Sequence, residues 1–221
     1  LMKPVPPYVP KEYNPVGVYR TEFTIPEGWR DHEVFLHFDG AKSFTYVYIN
    51  GKRAGMGKDA KTPVEFNVTK YLKEGKNVLG VEVFRWCDGT YLECQDMWRM
   101  SGINRDVYLY AATPVRIRDF QVVSGLFSDY KHGSLKVKVI LQNFVFKDQM
   151  ETTGEARCKV GIALYASPQD AAPVISETQE MIIGRGAEDT VFFEKFIPDV
   201  KKWSAEYPNL YYLVITLQTE Q

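Results

Sequence analysis

The stretch from Arg85 to Asp106, RWCDGTYLECQDMWRMSGINRD, gathers more reactive and binding side chains than any other part of the chain. It carries the carboxylates Asp88, Glu93, Asp96 and Asp106, the guanidinium groups of Arg85, Arg99 and Arg105, and the rings of Trp86, Tyr91 and Trp98. Carboxylates accept hydrogen bonds from paired hydroxyls while an aromatic face covers axial C–H groups, so an Asp beside Trp or Tyr in a long loop can form a sugar site. The same composition also suits a loop held together by its own Arg–carboxylate pairs. The segment lies between two strand-like runs and is too long for an ordinary hairpin connection. Its charges are too costly to bury unpaired, which predicts docking against a partner domain.

Other constellations are weaker. His32, His37 and His132 are scattered, and His37 sits inside the strand-like run VFLHF, where an ordinary strand histidine is the simpler reading. Gly55, Gly57 and Lys58 in RAGMGKD do not have the spacing of a phosphate-binding loop, and no helical pattern follows. A glycosidase needs two carboxylates roughly 5 to 9.5 Å apart. No such pair can be placed on facing positions here, so no catalytic residue is assigned. The cysteines, Cys87, Cys94 and Cys158, have no CxxC spacing, which indicates neither a zinc site nor a disulfide framework and leaves a local Cys87–Cys94 pairing as one reading.

These residues belong to a chain of 221 with 45% hydrophobic side chains, enough for one large or two ordinary all-β domains, of which two is the preferred reading. The 27 basic and 28 acidic side chains nearly cancel, so there is no broad field to attract nucleic acid or an anionic membrane, and a neutral partner is expected. No segment approaches the roughly 18 consecutive apolar residues of a membrane-spanning helix. The start, LMKPVPPYVP, is proline-rich, should run extended over a surface, and reads as a boundary inside a longer polypeptide, so it says nothing of compartment.

From Val18 onward, short β-branched and aromatic runs alternate with turn signals, without a sustained helical period. In FTYVYINGKRAG, Phe44, Tyr46 and Tyr48 alternate with Thr45, Val47 and Ile49 before Asn50-Gly51, which predicts a hairpin with a type I′ turn. VEFNVTKYLKEGKNVLGVEVFRW predicts a strand, a turn at Glu74-Gly75 and a second strand with Leu79, Val81 and Val83 on one face. After Thr113-Pro114 come VRIRDFQVVS, SLKVKVILQNF, RCKVGIALYA, TVFFEKFI and NLYYLVITLQT, and about seven strands are expected there, as in an immunoglobulin-like sandwich. A helix over 147–157 is a minor competing reading. No internal repeat or low-complexity stretch is present.

The loop also carries a resemblance: RWCDGTYLECQDMWRMSGINRDVYLY is similar to the corresponding segment of glycoside hydrolase family 2 β-galactosidases. EYNPVGVYRTEF, FDGAKSFTYVYINGKRAGMGKD, PVEFNVTKYLKEGKNVL and WSAEYPNLYYLVITL resemble further family blocks in the same order, so the likeness spans nearly the whole chain. It implies an all-β architecture: a sugar-binding, galactose-binding-like jelly-roll β-sandwich over residues 1–112, truncated at its N-terminal side, followed by an immunoglobulin-like β-sandwich over 113–221. It further implies a catalytic TIM barrel beyond residue 221, whose two glutamates carry out retaining hydrolysis of terminal β-galactosides. Magnesium and sodium are implied for that full-length enzyme, and no cofactor for this portion alone.

One role transfers to a matching position. Asp96 aligns with the aspartate that reaches from this domain toward the galactosyl unit and helps to bind sodium. A second substrate-contacting residue, an asparagine preceding the proline-rich arm in the family, falls upstream of Leu1. Cys87 and Cys94 stand where the family commonly has Ser and Asp. The implied partners are a β-galactoside, the protein's own barrel and other copies of a homo-oligomer, with no nucleic acid and no membrane. A stand-alone carbohydrate-binding module, a structural sandwich pair, and a family 2 β-glucuronidase or β-mannosidase are the alternatives, and the QDMWRMSG segment resembles the galactosidase branch.

Overall fold

The structure, a computed structural model, describes residues 5–59, 61–93, 98, 100–144 and 154–219. It divides into two compact units, residues 1–113 and 114–221, each with its own core. In both, antiparallel sheets built from short runs account for almost all regular structure.

The first unit contains β1 (Val16–Thr24), β2 (Glu33–Phe38), β3 (Ala41–Lys42), β4 (Phe44–Ile49), β5 (Lys52–Gly57), β6 (Val64–Asn67), β7 (Lys76–Phe84), a single helical turn α1 (Thr90–Glu93), β8 (Gly102–Ile103) and β9 (Val107–Ala112). Two sheets, in the orders β1-β7-β4-β5 and β6-β2-β9, close over one apolar core, and β3 pairs with β8. Period-2 side-chain alternation decides which residues fill that core. Thr45, Val47 and Ile49 of β4 and Leu79, Val81 and Val83 of β7 are buried, while Phe44, Tyr46 and Tyr48 form a half-buried aromatic row on the other face. All six residues of β2 are buried, as suits a central strand covered on both faces.

Turn chemistry sets the register. Asn50 and Gly51 both have positive φ, the geometry of the expected hairpin turn between β4 and β5. Buried Asn77 holds the next turn: its amide donates to the carbonyls of Lys73 and Gly75, and its oxygen accepts from the Lys73 N–H and the Asn50 side chain. At Gly55 the Phe66 ring passes so close that a Cβ would lie 2.3 Å from it, so sheet packing explains this glycine.

The second unit contains β10 (Val115–Leu126), β11 (Gly133–Asn143), β12 (Ala156–Tyr165), β13 (Ile175–Ile183), β14 (Glu188–Ile197) and β15 (Tyr212–Thr219). Two three-stranded sheets, β10-β11-β14 and β13-β12-β15, enclose a core fed by Leu135, Val137, Val139 and Leu141 from one side and Cys158, Val160, Ile162 and Leu164 from the other. The described residues hold six strands, against the seven or so expected, and one of the six, β13, has no counterpart among the runs read from sequence. Ala156 and Arg157 open β12, which removes the end of the helix considered over 147–157, and residues 147–153 lie outside the described residues.

Candidate functional site

The loop after β7 is built from its root outward. At the root, the Asn14 side chain bridges both backbone groups of Trp86: its amide donates to the Trp86 carbonyl (3.0 Å) and its oxygen accepts the Trp86 N–H (2.9 Å). The Arg85 N–H donates to the Pro15 carbonyl, and the Tyr91 hydroxyl donates to the Tyr8 carbonyl at 2.7 Å. The proline-rich arm thus lies along the loop root.

Beneath it, Ser43, Cys87 and Thr90 form a buried cluster. The Thr90 hydroxyl accepts the Cys87 N–H at 2.9 Å and meets the Ser43 hydroxyl at 2.6 Å, while the Ser43 oxygen lies 3.0 Å from the Cys87 sulfur. These contacts shape the turn from which α1 springs, since the Thr90 N–H also returns to the Cys87 carbonyl. Each buried polar atom in such a cluster costs roughly 1–3 kcal/mol if left unpaired, so their mutual satisfaction fixes this geometry against alternatives. Cys87 is buried in this cluster, and the pairing considered with Cys94 rests on a residue that lies outside the described residues.

The far end of the loop is fastened separately. β3 pairs with β8 through Ala41–Ile103 and Lys42–Gly102, and the Asn104 and Asp39 N–H groups donate to Gly40 and Asp106 carbonyls. Lys42, itself buried, donates its ammonium to the Trp98 carbonyl at 3.0 Å. That contact carries a positive charge to the loop backbone while leaving the indole free: Trp98 is 80% exposed, and Met100 is also exposed.

At Asp88 the pairing differs from the Arg–carboxylate arrangement weighed in the sequence. Asp88 is joined by Lys58, just beyond β5, at 2.9 Å, and not by a loop arginine. Its hydrogen bond to that ammonium, with help from the Gly89 N–H, holds its carboxyl below the usual range, and the same contact raises Lys58. The Arg85 guanidinium lies over the Trp86 ring, 5.1 Å from its centroid. Arg105 and Asp106 are exposed. Asp96, the candidate substrate and sodium residue, and Arg99 lie outside the described residues.

His37 lies in a strand, as read from the sequence, with a carboxylate at each ring nitrogen. On β2 its Nδ1 is 2.9 Å from Glu65 and its Nε2 2.9 Å from Asp39, and its ring stacks on Tyr108 with centroids 4.7 Å apart. It ties β6, β2 and β9 together and stands apart from the loop's own contacts. His132 sits in a turn against Asp129 and accepts the Asp199 N–H. Among the described residues, no group of three or more His, Cys, Asp or Glu side chains is placed to hold a metal ion. No helix among them is long and apolar enough to cross a membrane.

The described residues thus form two all-β units, the first carrying an aromatic-rich loop fixed by polar contacts at its root. The family described as "Glycosyl hydrolases family 2, sugar binding domain" matches residues 3–114, and "Glycosyl hydrolases family 2" matches residues 115–221. The chain belongs to glycosyl hydrolase family 2. It is 42% identical over 213 residues to a β-galactosidase of Priestia megaterium, a match covering 96% of this chain and 20% of that protein. It therefore spans about a fifth of that relative's length. Among solved structures it resembles a Bacteroides uniformis β-glucuronidase (TM-score 0.80, 23% identity, 93% of this chain and 24% of that one). It also resembles a Dictyoglomus thermophilum β-D-mannosidase (TM-score 0.68, 19% identity, 91% and 27%). At those identities the two structures speak for the fold.

Proposed function

We propose that this chain is the N-terminal, non-catalytic part of a retaining β-galactosidase that removes terminal β-D-galactose. In this reading two glutamates on a barrel outside residues 1–221 perform the displacement. The first unit lends the 85–106 loop to the galactosyl site, and Asp96 is its substrate contact and sodium ligand. The observation that carries the reading is the loop's construction. Its root is fixed by Asn14, Ser43 and Thr90 and its far end by Lys42, while the Trp98 ring is left exposed, which suits a platform supplied to a site completed elsewhere.

In this reading Asp96 is this chain's contribution to a sodium site of the full-length enzyme, and magnesium is held elsewhere in that polypeptide. The galactosidase assignment leans on the 42% identity to a protein of that name. The protein's partners in this reading are a β-galactoside, its own barrel and further copies of the full-length subunit.

The test compares the full-length polypeptide with residues 1–221 on matched aryl β-galactoside, β-glucuronide and β-mannoside. Galactoside turnover confined to the full-length protein is expected. A preference for either other glycoside overturns the substrate, and turnover by residues 1–221 overturns the division of labour. Asp96→Asn in the full-length enzyme should depress galactoside turnover and its sodium dependence while leaving the unfolding midpoint in place. Unchanged kinetics would remove Asp96 from the site.

A further inference from the structure

The three strands of the β6-β2-β9 sheet set side chains in rows across its outer face. Val34, Leu36 and Phe38 of β2 turn into the core of the first unit, so Phe35 and His37 face the other way. On that side Glu65 of β6 and Tyr108 of β9 stand directly opposite His37, and Tyr110 stands opposite Phe35. Contacts between the side chains tie the rows together. The two ring nitrogens of buried His37 meet one oxygen each of Glu65 and Asp39 at 2.9 Å, and the Tyr110 hydroxyl donates to that same Glu65 oxygen. The imidazole stacks on one face of Tyr108, with centroids 4.7 Å apart and planes 21° from parallel.

The outward half of this arrangement is unused. Asp39 and Glu65 spend Oδ1 and Oε1 on the inner contacts, so Oδ2 and Oε2 have no partner among the described residues, and the two side chains are 35% and 40% exposed. Tyr108 is 44% exposed, its hydroxyl has no hydrogen-bond partner among the described residues, and no cation among them lies over its ring. Partial burial, and then the charges of Asp39, Glu65 and Asp106, hold its phenol above the ordinary range, which places three carboxylates around it. The other sheet of this unit shows the same ingredients closed on themselves. There the Arg53 guanidinium lies over the Tyr46 ring, 5.4 Å from its centroid, and the Tyr48 hydroxyl donates to Glu82.

We propose that the outer face of the β6-β2-β9 sheet around Tyr108 is a binding site for a neutral pyranoside. The open face of Tyr108 covers C–H groups of the sugar ring, and the outer oxygens of Asp39 and Glu65 accept hydrogen bonds from its hydroxyls. His37 does not touch the sugar; it is the positioning residue that holds both carboxylates and the phenol ring from their inner sides. Two features select this ligand class. The acceptors sit at the two nitrogens of one imidazole, so they suit donors spread across a ligand, as hydroxyls are along a pyranose edge, better than a single-centre cation. The carboxylates, paired with no Lys or Arg among the described residues, repel an anionic sugar. The inference rests on these residues alone and holds whichever glycoside the enzyme cleaves.

The chain has three histidines, His32, His37 and His132, so the His37 ring signals can be followed by NMR and assigned by their loss in His37→Gln. Methyl β-D-galactoside, methyl β-D-glucoside and methyl β-D-mannoside are titrated into the Asp96→Asn chain, which keeps the loop's candidate residue out of the response. A saturable shift of the His37 signals with at least one of them, and none at His132, is expected. Tyr108→Ala should abolish that shift and Tyr108→Phe should keep it, while Glu65→Gln or Asp39→Asn should weaken binding about tenfold. Methyl β-D-glucuronide should bind more weakly than the glucoside. No saturable shift with any of the three sugars, up to their limits of solubility, overturns the proposal, and so does a glucuronide that binds as well as the glucoside. A shift that survives Tyr108→Ala unchanged overturns it too, because the sugar is then bound elsewhere. Saturation by tetramethylammonium in place of the sugars would make this face a cation site and overturn the sugar assignment. Glycoside turnover plays no part in these readouts, so the role of Asp96 and this site can fail separately.

Discussion

The loop's root and its tip obey opposite rules. At the root, polar side chains are buried and satisfied: Ser43, Thr90 and Cys87 share one cluster, and Asn14 bridges the two backbone groups of Trp86. Near the tip, the apolar side chains of Trp98 and Met100 stand in solvent while the Trp98 backbone is held by buried Lys42. A self-sufficient domain would place its apolar groups inside and its polar ones outside. In the proposed reading this inversion has a reason: the buried polar network fixes the root's position, and the exposed indole is left for a site completed outside this chain.

The comparison can be broken most forcefully at Thr90. Thr90→Val keeps the shape but leaves the Cys87 N–H without its acceptor and the Ser43 hydroxyl with sulfur alone, so a loss of about 1–3 kcal/mol is expected in urea unfolding of residues 1–221. Thr90→Ser should recover most of it. Asn14→Ala comes next, at about 1–2 kcal/mol for two hydrogen bonds at a half-buried position. In the full-length enzyme both variants should lower galactoside turnover more than the stability loss explains, because they release the loop's origin. Trp98→Ala should do the reverse. Its effect on stability should stay within about 0.5 kcal/mol, since the ring is exposed, while turnover or sugar affinity of the full-length enzyme falls. If Trp98→Ala destabilises residues 1–221 as much as Thr90→Val does, the contrast between root and tip is void.

Much of this was legible in the sequence, for reasons that differ by element. The β4–β5 hairpin could be read because Asn50-Gly51 tolerates positive φ and the flanking residues alternate. β11 could be read because Leu135, Val137, Val139 and Leu141 keep strict period 2. β13 was hidden because two of its sandwich-facing positions are polar. Glu177 there is met by Lys195, which holds its carboxyl low, and Gln179 donates to the Phe192 carbonyl. Both partners lie on β14, so the local pattern carries no trace of the compensation. The loop's chemistry was visible as composition, but its anchors were not. Asn14, Ser43 and Lys42 are distant in sequence, and nothing local marks them until the chain brings Asn14 and Ser43 to the root and Lys42 to the far end. His37 hid for the same reason, since Asp39 is near in sequence but Glu65 arrives only through the pairing of β2 with β6.

The smallest effect belongs to the Lys58–Asp88 pair, which the root-and-tip contrast classes with neither. Both side chains are half exposed, so solvent and salt screen the attraction and the pair should contribute little. The sign of its pH dependence still follows from the two shifts. The Asp88 carboxyl is held below its ordinary value, chiefly by the Lys58 ammonium, so its contribution is present above the unfolded value near 3.9 and disappears as pH falls through the lower folded value. Lys58 is raised by the same partner, so its contribution is complete below the unfolded value near 10.4 and disappears as pH rises through the higher folded value. Between about pH 5 and pH 9 neither group titrates, and the difference in unfolding midpoint between the unaltered chain and Asp88→Asn should be small and flat across that range. It should shrink with added salt and vanish once pH has fallen below the lowered folded value of Asp88. A difference that instead grows across neutral pH would mean that Asp88 is coupled to a group titrating there. The loop root would then depend on charge as well as on the neutral hydrogen bonds of Asn14, Ser43 and Thr90.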